Sequence, residues 1–378
     1  MPEPVPILFT IPNFITAGSG RAMLNIIERL DRERLAPSVC VLKKGGELDK
    51  EVERLGMPLL NFPFTIPPRP YASLWWRAWQ AARPFHQGHY RLWHSFHYSD
   101  DYTEPIIARI AGARWIYTKK NMGWGSRAWL LRTLFARLIL AQNSDMLGNF
   151  FVSSRFRKKV RLVPRGVKTE AFNPEVPARL HIRQQLGIPA DAAVVGCVAH
   201  LVPVKGHPTL LEAAARVPGI HLLIAGKPLD AEYTRSLENL ARSLEIQDRV
   251  HFLGGVQDIP GLLAEMDVFV LPTWGKWRME GCPVALLEAM SSGRACIATD
   301  IPGSRDLVEP GRSGLIVPPE DMDALAAALE RLTSSLELRR RLGAGARERI
   351  LRNFTIEKEV AAHIQVYEEI LGKTGIKL

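Results

Sequence analysis

Cysteine is scarce in this chain, at four among 378 residues, and Cys40, Cys197, Cys282 and Cys296 lie far apart with no CxxC pair. No histidines cluster at metal-ligand spacing, so neither a disulfide scaffold nor a zinc site is expected, and the thiols read as buried and free in a reducing compartment. Long apolar runs are missing too. The most membrane-like segment, residues 129–141, is interrupted by Arg132 and Arg137 and is too short to span a bilayer. The opening MPEPVPILFT has no basic run ahead of a long apolar stretch, so no secretory signal is expected and a cytoplasmic chain is. No low-complexity tract and no repeat of solenoid period is visible.

What is present is the composition of an ordinary folded protein, 47% hydrophobic and 23% charged, enough to bury a sizeable core. At about 150 residues per domain the length suggests two domains. Residues 6–11, 22–30, 38–42 and 47–55 alternate strand, helix, strand, helix. The rhythm restarts after Pro164, with strands expected at 194–199, 221–225, 250–253 and 268–271. Such alternation builds parallel sheets flanked by helices. We expect one Rossmann-like domain over residues 1–168 and a second over 169–355, with a Pro-rich hinge region at 172–189 and a last helix at 356–371 packing back on the first. The net charge of +10 is unevenly shared: residues 1–168 carry 26 Lys and Arg against 12 Asp and Glu, or +14, and the rest carry 23 against 27, or −4. An acidic partner should prefer the first half.

Three segments carry chemistry. TAGSG, residues 16–20, follows the first strand and precedes a helix expected near Arg21; Gly18 and Gly20 would let a phosphate approach free backbone N–H groups, although a tight turn needs the same glycines with no ligand. Lys205, in the loop after the strand at 194–199, stands at a sheet's C-terminal edge, where it can neutralise a diphosphate or simply be solvated. EGCPVALLEAM, residues 280–290, is the most specific. Pro283 suits a helix's first turn and leaves the N–H groups of Gly281 and Cys282 free for an anion. Glu288 lies about 7 Å further along and leans back toward that end, so it and Glu280 can take hydroxyls of one polyhydroxylated ligand. Two surface glutamates are the plain alternative, but Glu288 shares its stripe with apolar residues.

The last block resembles the Glu-x7-Glu signature of family 4 retaining glycosyltransferases, which have the GT-B fold. The resemblance extends to PRGVKTEAF (164–172), VAHLVPVKGH (198–207), DVFVLPT (267–273) and GRACIATDIPGSRDLV (293–308), and in the first half to the glycine loop, HSFHYSDDYTEPIIARIAG (94–112) and AQNSDM (141–146). It implies an α/β chain of two Rossmann-like domains with parallel sheets facing a central cleft, an N-terminal acceptor domain and a C-terminal donor domain. It implies that Lys205 binds the donor diphosphate, Glu280 the transferred sugar, Glu288 the ribose, and Gly18 and Gly20 the phosphate from the other domain. The donor would be a nucleotide-sugar substrate, a UDP-sugar favoured, used with retention and without a metal or cofactor, in cell-surface polysaccharide or glycolipid biosynthesis. Three positions depart from the family. His200 stands for the usual arginine, Lys119 or Lys120 for the active-site histidine, and Arg165 and Lys168 for the Asn and Asp of NGVD. His94 and His97, at the end of a strand over 92–96, could each position an acceptor hydroxyl or simply pack. A nucleotide-sugar epimerase of the same fold and a non-catalytic sugar-nucleotide binder are the other classes.

The excess charge of the first half suggests an anionic glycan or lipid-linked acceptor, no nucleic acid, and peripheral attachment to the inner face of a membrane. Residues 71–83 mix aromatic and basic side chains. In 124–137, Trp129, Leu130, Leu134 and Leu138 could form an apolar stripe beside Arg127, Arg132 and Arg137, with Lys158 and Lys159 extending the patch; the same stripe could instead pack into the core.

Overall fold

The strand Val5–Ile11 (β1) is almost wholly apolar and buried, as a parallel strand covered on both faces must be. The computed structural model describes residues 3–15, 17–123, 126–275 and 281–372. After β1 come Ala17–Ile27 (α1), Leu35–Val41 (β2), Asp49–Arg54 (α2), Leu59–Asn61 (β3) and Leu74–His86 (α3). Then follow Leu92–Ser95 (β4), Thr103–Ile110 (α4), Arg114–Lys119 (β5), Arg127–Phe135 (α5), Ile139–Ala141 (β6), Ser144–Asn149 (α6), Ser154–Arg157 (α7) and Val160–Leu162 (β7). The seven strands form one parallel sheet in the order β3-β2-β1-β4-β5-β6-β7.

The second series runs Ile182–Gln185 (α8), Ala193–Val198 (β8), His207–Ala215 (α9), Ile220–Ala225 (β9), Ala231–Ser243 (α10), Val250–Gly254 (β10), Ile259–Ala264 (α11) and Val268–Leu271 (β11). It continues with Val284–Ser291 (α12), Ala295–Thr299 (β12), Ser304–Leu307 (α13), Leu315–Val317 (β13), Met322–Thr333 (α14) and Leu336–Asn353 (α15), before Ile356–Gly372 (α16). Its sheet is parallel in the order β10-β9-β8-β11-β12-β13. The chain divides into two compact units, Met1–Pro164 with Ile356–Leu378, and Arg165–Thr355.

Strand order decides where a site can form. In unit 1 the chain moves outward from β1 to β3, then returns to the other side of β1 with β4; in unit 2 the same reversal falls between β8 and β11. Right-handed crossovers then put α1 and α2 on one face of the first sheet and α3, α4 and α5 on the other. At each reversal the loops leave in opposite directions and open a crevice at the strands' C-terminal ends. Around these edges the cores are conventional. Met23, Ile27, Val360, Tyr367 and Ile370 cover one face of unit 1, so α16 packs beside α1. Leu210, Leu237 and Leu329 cover one face of unit 2, and Leu263, Leu286, Leu287 and Ile350 the other.

Candidate functional site

At the reversal in unit 2, three loops press together with no room for side chains between them. Gly206 caps the 3-10 turn Pro203–Lys205 at φ 69°, and a Cβ there would stand 1.9 Å from the Pro272 carbonyl oxygen. Glycine is required twice, by the left-handed backbone and by the approach. The loop after β11 is tied to the same turn, with Trp274 N donating to Val204 O (2.9 Å) and Trp274 Nε1 to Thr209 Oγ1 (3.1 Å). At Gly303, φ 87°, a Cβ would lie 2.7 Å from Gly281 O, so the loop ahead of α13 lies against the start of α12.

This frame positions the charged groups. Lys205 is half-buried at the end of its turn, and burial pulls its ammonium down to about 8, with the Cys197 thiol opposing. His200 stays exposed just past the preceding strand; partial desolvation of its ring, then Lys205 and Lys227, disfavour its protonation. Pro283 is the N-cap of α12, one position before the helix start expected for it, behind buried Gly281 and half-buried Cys282. The first-turn N–H groups of α12 have no partner within the helix. Glu288 follows on α12, half-buried, with no polar partner for its carboxyl among the described residues, and desolvation alone pushes it up to about 8. Glu280 lies outside the described residues. Two buried hydroxyls in the same loops have no hydrogen-bond partner among the described residues: Thr273 Oγ1 just after β11 and Ser304 Oγ at the start of α13. Sequence reading missed both, although DVFVLPT and the GRACIATDIPGSRDLV block contain them. An orphaned buried hydroxyl costs about 1–3 kcal/mol, which a ligand can recover.

Unit 1 has the opposite character at its own edge. Glu104, on α4, and Arg132, on α5, are both fully buried and paired at 3.2 Å. The Glu104 carboxylate also accepts from Ser95 Oγ (2.8 Å), Trp93 Nε1 (3.3 Å) and Thr10 Oγ1. Although desolvation works against ionisation, the neighbouring His97 ring, Arg132 and the Thr10 hydroxyl together hold this carboxyl down at about 2. His97 lies beside it, Nδ1 3.7 Å from Glu104 and 3.3 Å from Ser99 Oγ, under the edge of Phe64.

Several expectations are corrected here. The glycine loop is shorter than expected, since α1 begins at Ala17 and takes in both glycines. Gly18 has open space where a Cβ would stand, whereas Gly20 serves packing, its Cβ position lying 2.6 Å from Phe14 and 2.9 Å from Leu48. His94 is wholly buried with its ring nitrogens bonded to Tyr367 Oη and Thr118 Oγ1, both at 2.8 Å, so its polar atoms are engaged inside the fold. Lys119 is buried too, donating to Asn121 Oδ1 (3.2 Å) and Gly123 O beneath the Trp129 and Phe150 rings; desolvation and Arg132 lower it to about 7. Lys120 is half-buried and donates to Phe96 O, next to the His97 loop. Arg165 is buried rather than displayed. The stripe expected on residues 124–137 does not form: Trp129 and Arg132 point into the core, Leu138 lies buried beyond the helix, and Leu130, Leu131 and Phe135 face solvent. Lys159 does not extend a patch, because its ammonium caps the end of α5 at Leu134 O and Ala136 O.

Comparison with known proteins agrees with this architecture. Residues 178–349 match the family model "Glycosyl transferases group 1". The lipopolysaccharide core biosynthesis glycosyltransferase LpsE of Rhizobium meliloti is 33% identical over 184 residues, 49% of this chain and 52% of that protein. A GDP-mannose-dependent phosphatidylinositol monomannoside mannosyltransferase of Mycobacterium tuberculosis is 31% identical over 263 residues, 64% of this chain and 66% of that one. This chain thus spans about half to two thirds of the length of these curated relatives. The structure of Anabaena HepE, in complex with UDP and glucose, superposes with a TM-score of 0.82 at 21% identity over 97% of this chain and all of that one. Residues 178–349 are therefore a group 1 glycosyltransferase domain within a chain of GT-B fold.

Proposed function

We propose that this chain is a retaining, metal-independent glycosyltransferase that moves a sugar from a nucleotide-sugar donor, a UDP-sugar favoured, to a glycan or lipid-linked acceptor at the cytoplasmic face of a membrane. The observation that carries the donor half is Glu288, an acid held at about 8 by burial and with no polar partner among the described residues at the reversal of unit 2. A ribose diol supplies two donors to such a carboxylate, and ionisation then becomes favourable. Lys205 and the first turn of α12 supply positive potential for a diphosphate in the same loops. As the anomeric carbon gains oxocarbenium character, negative charge grows on the departing diphosphate, and these groups stabilise it. Glu280 is assigned the sugar hydroxyls. The donor chemistry named for two of the similar proteins, GDP-mannose for one and UDP with glucose for the other, supports the class and leaves the base open.

The acceptor half rests on unit 1, where His97 and Lys120 stand at the sheet's own reversal and His97 Nε2 has no polar partner among the described residues. A thermal-shift panel of UDP, GDP and ADP sugars tests the donor reading, since a ligand at a hundred times its Kd adds about 2.7 kcal/mol of stability. One sugar nucleotide should raise the midpoint clearly above the others, and its sugar should move only when an acceptor is added. No shift with any of them would overturn the reading, and turnover without an acceptor would make the enzyme an epimerase.

A further inference from the structure

The helix α3 is amphipathic in an inverted sense. The face it turns to the unit is Ala78, Ala81, Ala82 and Phe85, whereas Trp75, Trp76 and Trp79 are 63%, 60% and 41% exposed, preceded by Tyr71 at 61%. Alanines are kept for packing and the largest apolar side chains face water, although the hydrophobic effect favours the reverse. These rings are ordered against each other: Trp76 stacks on Trp79 at 5.2 Å, and the Arg83 guanidinium lies over Trp79 at 4.8 Å. Arg77 donates to the carbonyl oxygens of Pro67, Pro68 and Pro70, which fixes the segment leading into the helix. Arg69 and Arg83 remain exposed.

Charge points to what covers this face. From Arg54 to Ser99 the chain holds five arginines and no aspartate or glutamate. The helix α5 packs on α4 as α3 does, on the same face of the sheet, and adds exposed Leu130, Leu131 and Phe135 with exposed Arg127 and Arg137. Indole rings settle at the headgroup level of a bilayer, and guanidinium groups beside them meet lipid phosphates. We propose that the outward face of α3, extended by α5, docks on an anionic lipid bilayer, with Trp75, Trp76 and Trp79 at the headgroup level and Arg69 and Arg83 on the phosphates. This names the surface by which unit 1 would reach a lipid-linked acceptor, but it does not rest on the donor reading, because vesicle binding needs no sugar nucleotide.

The test is flotation of the full chain with phosphatidylcholine vesicles and with vesicles containing a third phosphatidylglycerol, at low and high salt. Binding to the anionic vesicles should exceed binding to the neutral ones at least about tenfold at low salt and fall as salt rises. The triple variant Trp75→Ala, Trp76→Ala, Trp79→Ala and the pair Arg69→Glu, Arg83→Glu should each lose at least about tenfold in bound fraction, the substitutions lying on an exposed face. An unchanged thermal midpoint and circular dichroism spectrum establish that both fold. Brominated lipid should quench the wild-type tryptophans and spare the triple variant. The proposal is wrong if the wild-type chain ignores anionic vesicles at low salt, or if the folded triple variant floats as well as the wild type. A lipid-free dimer in sedimentation velocity that the triple variant dissolves would assign the face to a second copy and equally overturn it.

Discussion

Both units place a sheet reversal at the C-terminal ends of parallel strands, yet the buried carboxylate of one is held by protein groups and that of the other has none among the described residues. In unit 1, Glu104 finds Arg132, Ser95, Trp93 and Thr10, and His94 finds Tyr367 and Thr118. In unit 2, Glu288 and the Thr273 and Ser304 hydroxyls find nothing among the described residues. A buried polar group without an internal partner is unfavourable, so it persists where an external one compensates. The contrast separates polar residues that build a platform from those proposed to receive a ligand.

The largest expected effect falls on the platform. Glu104→Gln leaves Arg132 buried and uncompensated, and should cost about 3–5 kcal/mol of unit 1's stability in urea unfolding, with nucleotide affinity unchanged. Because the folded carboxyl at about 2 lies below its ordinary 4.5, the pair stabilises the fold above that value and the contribution is lost as pH falls toward 2. The variant should lack this part of the acid sensitivity. Loss of nucleotide binding without loss of stability would erase the distinction between the two edges.

Next in size is Glu280→Gln, expected to lower kcat about a hundredfold in a folded protein if Glu280 takes the sugar hydroxyls proposed for it. Near-wild-type turnover would remove it from the site. Lys205→Ala should weaken nucleotide affinity at least tenfold by calorimetry, a charge-assisted phosphate contact contributing about 1.5–3 kcal/mol. Unchanged affinity would move the phosphate elsewhere.

The finest test reads protons. Glu288 at about 8 lies above its ordinary 4.5, so the nucleotide-free protein loses stability as pH rises through that window, and a ribose that favours the carboxylate reverses this. Near pH 6.5 Lys205, at about 8, is already protonated and contributes little. Calorimetry near pH 6.5 in buffers of different ionisation heat should therefore show close to one proton released per nucleotide, with affinity rising with pH up to about 8 and falling beyond it as Lys205 loses its proton. Glu288→Gln should abolish both the release and the slope. Proton uptake by the wild type would contradict the ribose contact.

The sequence by itself determined the two strand-helix series, β11 to the residue, and the helix that begins beside Pro283, because these depend on local periodicity and on proline's missing N–H. It also singled out Lys205 and Glu288, whose spacing from a strand end and a helix start is local. Tertiary structure decided the rest. Arg132 looked like part of a lipid-facing stripe because its partner, Glu104, lies 28 residues earlier and meets it only once α4 and α5 pack. Gly20 looked like a phosphate glycine because nothing local reports the Phe14 ring against it. The tryptophans of α3 showed in the sequence only as aromatic residues among basic ones, which does not say which face of a helix is buried. That choice belongs to the packing beneath the helix, which takes Ala78, Ala81, Ala82 and Phe85 and leaves the three indoles outside.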